Sequence, residues 1–180
     1  MKRKKNFFVW ILVLVFLILI SILLFRYRNE IQRLSSLGYI GIFLLSILAN
    51  ATIVIPLPGV ILTSAMGAIF SPFWVALSAG AGAAIGELTG YLAGFSGQVV
   101  IAHKDWYLRF NSWMRKYGFA AVFLLALVPN PLFDLAGIAA GVMGMKIWKF
   151  LVWSFFGKFL KMLLFAYSGE SLFVYFSGLR

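Results

Sequence analysis

Apolar positions fall in long runs along this chain, and the residues that interrupt them differ from one end to the other. Phe7 to Phe25 holds nineteen residues with Ser21 the only polar one, enough at about 1.5 Å per residue to cross a hydrocarbon core of about 30 Å. Lys2, Arg3, Lys4 and Lys5 precede this run, and Arg26-Tyr27-Arg28 follows it with no small-residue cleavage site. The pattern predicts a retained transmembrane anchor rather than a removed signal peptide, with the basic N-terminus in the cytoplasm.

Beyond residue 37 the runs are shorter and are broken twice by Pro, Gly and Asn. Gly38 to Asn50 aligns with Gly118 to Asn130 eighty residues on, repeating Gly38, Phe43, Leu44, Leu45 and Asn50. Past the break the spacing becomes seventy-four, with Gly67 opposite Gly141 and Trp74 opposite Trp148. In each copy a stretch too short to span reaches a bend, and a second short stretch follows. The bends are Ile55-Pro56-Leu57-Pro58-Gly59 and Val128-Pro129-Asn130-Pro131. Proline lacks an N–H and pushes its predecessor out of the helical region, so the backbone opens and exposes carbonyls that lipid cannot satisfy.

A re-entrant hairpin that enters and returns to the same side satisfies that constraint, followed in each copy by a full span, Pro72 to Gly97 and Ile147 to Ser168. A hairpin adds no net crossing and its span adds one, so the two copies are predicted to be inverted. The predicted fold is thus an all-α integral membrane protein, an inverted repeat of re-entrant hairpin plus transmembrane helix behind an N-terminal transmembrane anchor. Its divisions are 1–35 for the basic terminus, anchor and short polar loop, and 36–180 for the membrane domain. The latter comprises a first repeat 36–97, a cytoplasmic linker 98–117, a second repeat 118–170 and a tail 171–180.

Charge agrees with that topology. Lys2, Arg3, Lys4, Lys5, Lys104, Arg109, Arg115, Lys116, Lys146 and Lys149 fall inside, against Arg26, Arg28, Arg33 and Arg180 outside. With 63% hydrophobic and 12% charged residues, a soluble domain of this length would lack the polar residues to cover its surface. The net charge of +11 therefore reads as orientation signals and contact with anionic headgroups, not as a nucleic-acid surface. No cysteine and one histidine, His103, leave no thiolate nucleophile and no expected metal site or cofactor. Trp74, Trp106, Trp148 and Tyr175 are expected as interface anchors.

Glu87 is the first candidate for chemistry, because it lies about fifteen residues into an apolar helix, where facing lipid would cost at least about 2.5 kcal/mol. Gly82, Gly86, Gly90 and Gly94 recur beside it at four-residue spacing, a stripe that lets another helix approach. Glu87 is either half of a structural ion pair or a group that handles protons or substrate. Lys158 and Lys161 share a face of the last helix. The repeat offset puts Lys161 opposite Glu87, whereas counted depth places Lys158 near the middle of the membrane and favours it as the partner, leaving Lys161 to snorkel outward. Asp134, after the second bend, could cap the returning half-helix or act in function. Asn50 and Asn130 are expected to satisfy open backbone groups at the bends.

The ordered set of motifs resembles the DedA family, also called the SNARE-associated or VTT-domain family, over roughly residues 36 to 170. It comprises Pro56-Leu57-Pro58-Gly59 with Gly67, Gly86-Glu87-Leu88-Thr89-Gly90-Tyr91-Leu92-Ala93-Gly94, Tyr117-Gly118 through Val128-Pro129, Ala140-Gly141-Val142-Met143-Gly144-Met145, Phe150 and Gly157-Lys158. The resemblance implies two opposed re-entrant hairpins and movement of lipids between leaflets, phospholipids or polyprenyl phosphates, with proton or sodium coupling in some members. Tyr91 joins the expected substrate path with Glu87, Asp134, Lys158, Lys161, Asn50 and Asn130. The chain departs from the bacterial pattern at Val60, where an acid is frequent, and at the second bend, which has no arginine.

The leading expectation is a lipid translocator in a prokaryotic cytoplasmic membrane, a scramblase or ion-coupled flippase. Its partners would be membrane lipids, and homo-oligomerisation stays open. A small-solute or ion transporter on the same architecture is the alternative, and a scaffold that holds partners through the glycine stripe is the third. An intramembrane enzyme is the weakest reading, since no Ser-His pair accompanies the membrane carboxylates.

Overall fold

A computed structural model describes residues 35–51, 59–97, 112–129 and 133–178, and every regular element among them is helical. The helices are α1 (Ser35–Ala51), α2 (Gly59–Gly67), α3 (Pro72–Gly86), α4 (Leu88–Phe95), α5 (Phe119–Leu127), α6 (Phe133–Val142) and α7 (Ile147–Gly178). Residues 112–117 are also helical, ahead of α5. The anchor run and its basic flank, Pro56 and Pro58, linker residues 98–111 with His103, and Asn130 and Pro131 lie outside the described residues.

Local chemistry sets the boundaries. Pro72 opens α3 after Ser71, a position where its missing N–H costs nothing and its fixed φ already suits a helix. Val128 is extended before Pro129, as a following proline requires. The single span expected over Pro72–Gly97 is two helices in line, meeting at Glu87, where ψ flattens to −13°. Helical bonding continues through the junction, from Glu87 N–H to the Ala83 carbonyl and from Tyr91 N–H to the Glu87 carbonyl, each 3.1 Å. Gly97, with φ of +68°, closes the segment in the left-handed conformation that glycine adopts most readily.

The second span is longer than expected. Ser168 does not end it, because its hydroxyl donates to the Leu164 carbonyl at 2.7 Å within the same helix. The helix runs on to Gly178, so most of the expected tail is helical. Among the described residues α7 is the one helix long and apolar enough to cross a membrane.

Alanine is concentrated inside, and many bulky apolar side chains face outward. Ala76, Ala79, Ala83, Ala84, Ala121, Ala126, Ala139 and Ala166 are buried, while Leu44, Leu48, Phe73, Leu124, Leu164 and Leu172 are exposed. Lipid tails give leucine no reason to hide, so close backbone approach decides what goes inside.

The helices interlock. α3 and α7 pack on each other at the centre, with α1 along α3 and α5 along α7. The short arms cross over, α2 onto α7 and α6 onto α4. Each half therefore supports its own span with its first arm and the other half's span with its second.

The contacts of the two halves correspond. Gly82 lies against Phe43 and Ser46, while Gly157 lies against Phe123 and Ala126. Gly141 backs onto Tyr91 and Gly94 onto Ile138, while Gly67 backs onto Ala166 and Gly169 onto Ser64. Equivalent residues are eighty apart in the first arms, seventy-four in the second arms and seventy-five in the spans. The last value corrects the sequence offset within the spans. It aligns Glu87 with Met162 rather than with Lys161, and Lys158 with Ala83.

Candidate functional site

Where the halves meet, Lys158 of α7 is 2% exposed and Glu87, between α3 and α4, is 3% exposed. The Lys158 ammonium donates to Glu87 Oε1 in a short ion pair and to Asn50 Oδ1 of α1 at 2.6 Å. Its Nζ also lies 4.7 Å from the ring centroid of Phe133, the first residue of α6. Asn50 is itself held, donating from Nδ2 to the Ser46 carbonyl at 2.8 Å. Thr89 Oγ1 donates to the Ala51 carbonyl at 3.1 Å and to the Gly86 carbonyl at 3.0 Å, pinning the end of α1 to the α3–α4 junction.

One ammonium thus ties together both spans, the first arm of one half and the second arm of the other. Charge-assisted bonds and a cation–π contact offset the cost of removing both charges from water. Such a pair adds little net stability over an apolar isostere, but losing one partner strands the other charge. Ser154, one turn before Lys158 on the same face, has a fully buried hydroxyl with no hydrogen-bond partner.

The structure brings Asn50, Glu87 and Lys158 together out of the expected path. Lys161, three residues on, is half-buried. Tyr91 is directed elsewhere, because its hydroxyl donates to the Met145 carbonyl at 2.5 Å and its ring stacks on Phe150 at 5.2 Å. Asp134 falls in the first turn of α6, and its side chain lies outside the described residues. Pro129 follows α5, and Gly59 is the first residue of α2.

The glycine stripe serves two partners instead of one. Gly82 and Gly86 take α1, Gly94 takes α6, and Gly90 is buried between them. Sequence reasoning missed Phe133. Its only signal is its place three residues after Asn130, facing whatever the second bend returns to.

A long apolar helix, many exposed bulky apolar side chains and a buried ion pair at a helix junction suit an α-helical membrane protein. The VTT domain family matches residues 57–171, more than half of the chain, and the protein belongs to that family, the DedA or SNARE-associated group. Two plant relatives from Arabidopsis thaliana are similar over shorter stretches. "Vacuole membrane protein KMS1" is 52% identical over 40 residues, 22% of this chain and 10% of the relative. "Vacuole membrane protein KMS2" is 38% identical over 65 residues, 36% of this chain and 15% of the relative. The chain thus spans only a small part of the length of either. No solved structure matches it.

Proposed function

We propose that this protein moves lipids between the leaflets of its membrane, as a scramblase or an ion-coupled flippase for phospholipids or polyprenyl phosphates. The observation that carries this reading is the Lys158–Glu87–Asn50 cluster, a buried polar centre held by arms of both halves. In this reading each half is a re-entrant hairpin followed by a span, and the halves are inverted, with the N-terminus in the cytoplasm and the hairpin tips approaching from opposite faces. A lipid phosphate passing the centre competes with Glu87 for the Lys158 ammonium, since both offer anionic oxygens. A proton or sodium ion would then neutralise the displaced carboxylate, which is the point at which coupling would enter.

One feature favours transport over a scaffold. The glycine stripe is occupied inside the chain by α1 and α6, which weighs against a scaffold that docks partners through it. No catalytic step is part of the reading.

Protein reconstituted in phosphatidylcholine liposomes should exchange labelled phospholipid or polyprenyl phosphate between leaflets, and Glu87→Gln should slow that exchange. Solute-dependent proton uptake without lipid movement would favour the small-solute transporter. No movement of either lipid class would sink the proposal.

A further inference from the structure

A cleft with about 70 Å³ of free volume lies among α1, α2 and α3, lined chiefly by Ile42, Leu45, Ala49, Leu62 and Met66, with Gly59 at its edge. Its two hydroxyls are already satisfied. Ser46 donates to the Ala79 carbonyl at 2.7 Å, and Thr63 donates to the Gly59 carbonyl at 2.8 Å. Beyond the lone pairs of these two hydroxyls, the lining offers a water no polar side chain. The cleft is therefore mainly apolar, and Leu45 on its wall is exposed and carries that character out to the protein surface.

The corresponding place in the other half is filled among the described residues. Applying the arm and span offsets of the repeat, Ile42 corresponds to Val122, Ser46 to Ala126, Leu62 to Ala136, Met66 to Ala140 and Gly59 to Phe133. Val122, Ala126, Phe133, Ala136 and Ala140 form one buried cluster. Phe133 fills there what Gly59 leaves open here, and a Cβ built on Gly59 meets nothing within 4 Å. The cleft ends near the polar centre, since Ala49 on its wall immediately precedes Asn50, which accepts from Lys158.

We infer that this cleft seats a short segment of one acyl chain of a glycerophospholipid, the rest of the chain lying along the exposed surface beside Leu45. The inference rests on the lipid-moving function proposed above and assigns the tail of that lipid its place. An unbranched chain suits a narrow cleft without aromatic walls better than an isoprenoid chain with its repeated methyl branches. Gly59 is the residue that keeps it open.

The test is photolabelling of the full chain in phosphatidylcholine liposomes that contain a trace of phosphatidylcholine with a diazirine near the end of one acyl chain. The adducts are located by peptide mass spectrometry. Irradiation should label residues within 42–49 and 59–66, and Gly59→Phe should lower that labelling about tenfold, as losing roughly 1.4 kcal/mol of binding would. Ala49→Phe plugs the same space from α1 and provides a second variant should the first disturb the bend. Equal labelling in the native chain and both folded variants would overturn the inference. So would label spread evenly over exposed Leu44, Leu48 and Leu164, or labelling by a diazirine polyprenyl phosphate in place of the acyl probe. Labelling needs no transport, so a protein that labels at the cleft but moves no lipid removes the proposed function and leaves the site standing.

Discussion

Residues 35–97 and 112–178 use the same packing to hold different chemistry. Matching glycines admit matching arms, Gly82 with Gly157 and Gly94 with Gly169. Where the first half carries Glu87 the second has Met162, and where the second carries Lys158 the first has Ala83. Met162 belongs to an apolar cluster with Val75, Ala76, Ala79 and Ala166. One crossing of arms and spans is therefore charged and its counterpart is greasy. Backbone approach is what the repeat preserves, and a polar centre needs only two side chains to differ.

The largest effect should come from breaking the charged crossing on one side. Lys158→Met strands Glu87 and should lower stability by about 3–5 kcal/mol, read as a large fall in thermal midpoint in detergent. The paired change Glu87→Met with Lys158→Ala copies the other half's residues into this one and should recover most of that loss, because replacing both charges avoids the stranded anion.

Next come the glycines that make the halves alike. Gly82→Leu and Gly157→Leu should each cost about 1–3 kcal/mol or more through overpacking against α1 and α5. The two losses should be similar if the packing is shared. A loss confined to one of them would break the correspondence.

Phe133→Leu keeps an apolar side chain but removes the ring beside Lys158, and should cost about 0.5–2 kcal/mol in the same assay. The smallest effect concerns a hydroxyl that has changed sides. Ser46 donates to Ala79, whereas the equivalent pair is Ala126 and Ser154, and Ser154 finds no partner. Ser46→Ala should cost about 0.5–1.5 kcal/mol, the net worth of one hydrogen bond. Ser154→Ala should be neutral or stabilising, since it removes a buried hydroxyl that bonds to nothing.

Much of this arrangement can be read in the chain because proline, glycine and isolated charges act locally. Val128-Pro129 ends α5, Gly97 ends α4, and counting helical rise put Lys158 at a depth suited to Glu87. The family resemblance rests on the same residues. What could not be read is tertiary. No local signal says that α2 leaves its own half for α7, or that α6 leaves for α4, since both are short, apolar and Gly-containing. A one-residue change of offset between Trp74 and Gly82 escaped alignment because alanine and glycine repeat so often there. Tyr91 is placed in the path by the motif that carries the family resemblance, yet its hydroxyl reaches the Met145 carbonyl across the halves. The cleft beside Gly59 has no local signal either, since it arises where Gly59 stands opposite a counterpart that is Phe133.

Lipid exchange in liposomes by the paired variant Glu87→Met with Lys158→Ala tests the account most directly, because that protein keeps the glycine-mediated helix contacts and loses both charges of the crossing. The account predicts a folded protein with a thermal midpoint near that of the native chain and lipid exchange reduced to the rate of protein-free liposomes. Exchange at the native rate from that variant would contradict it.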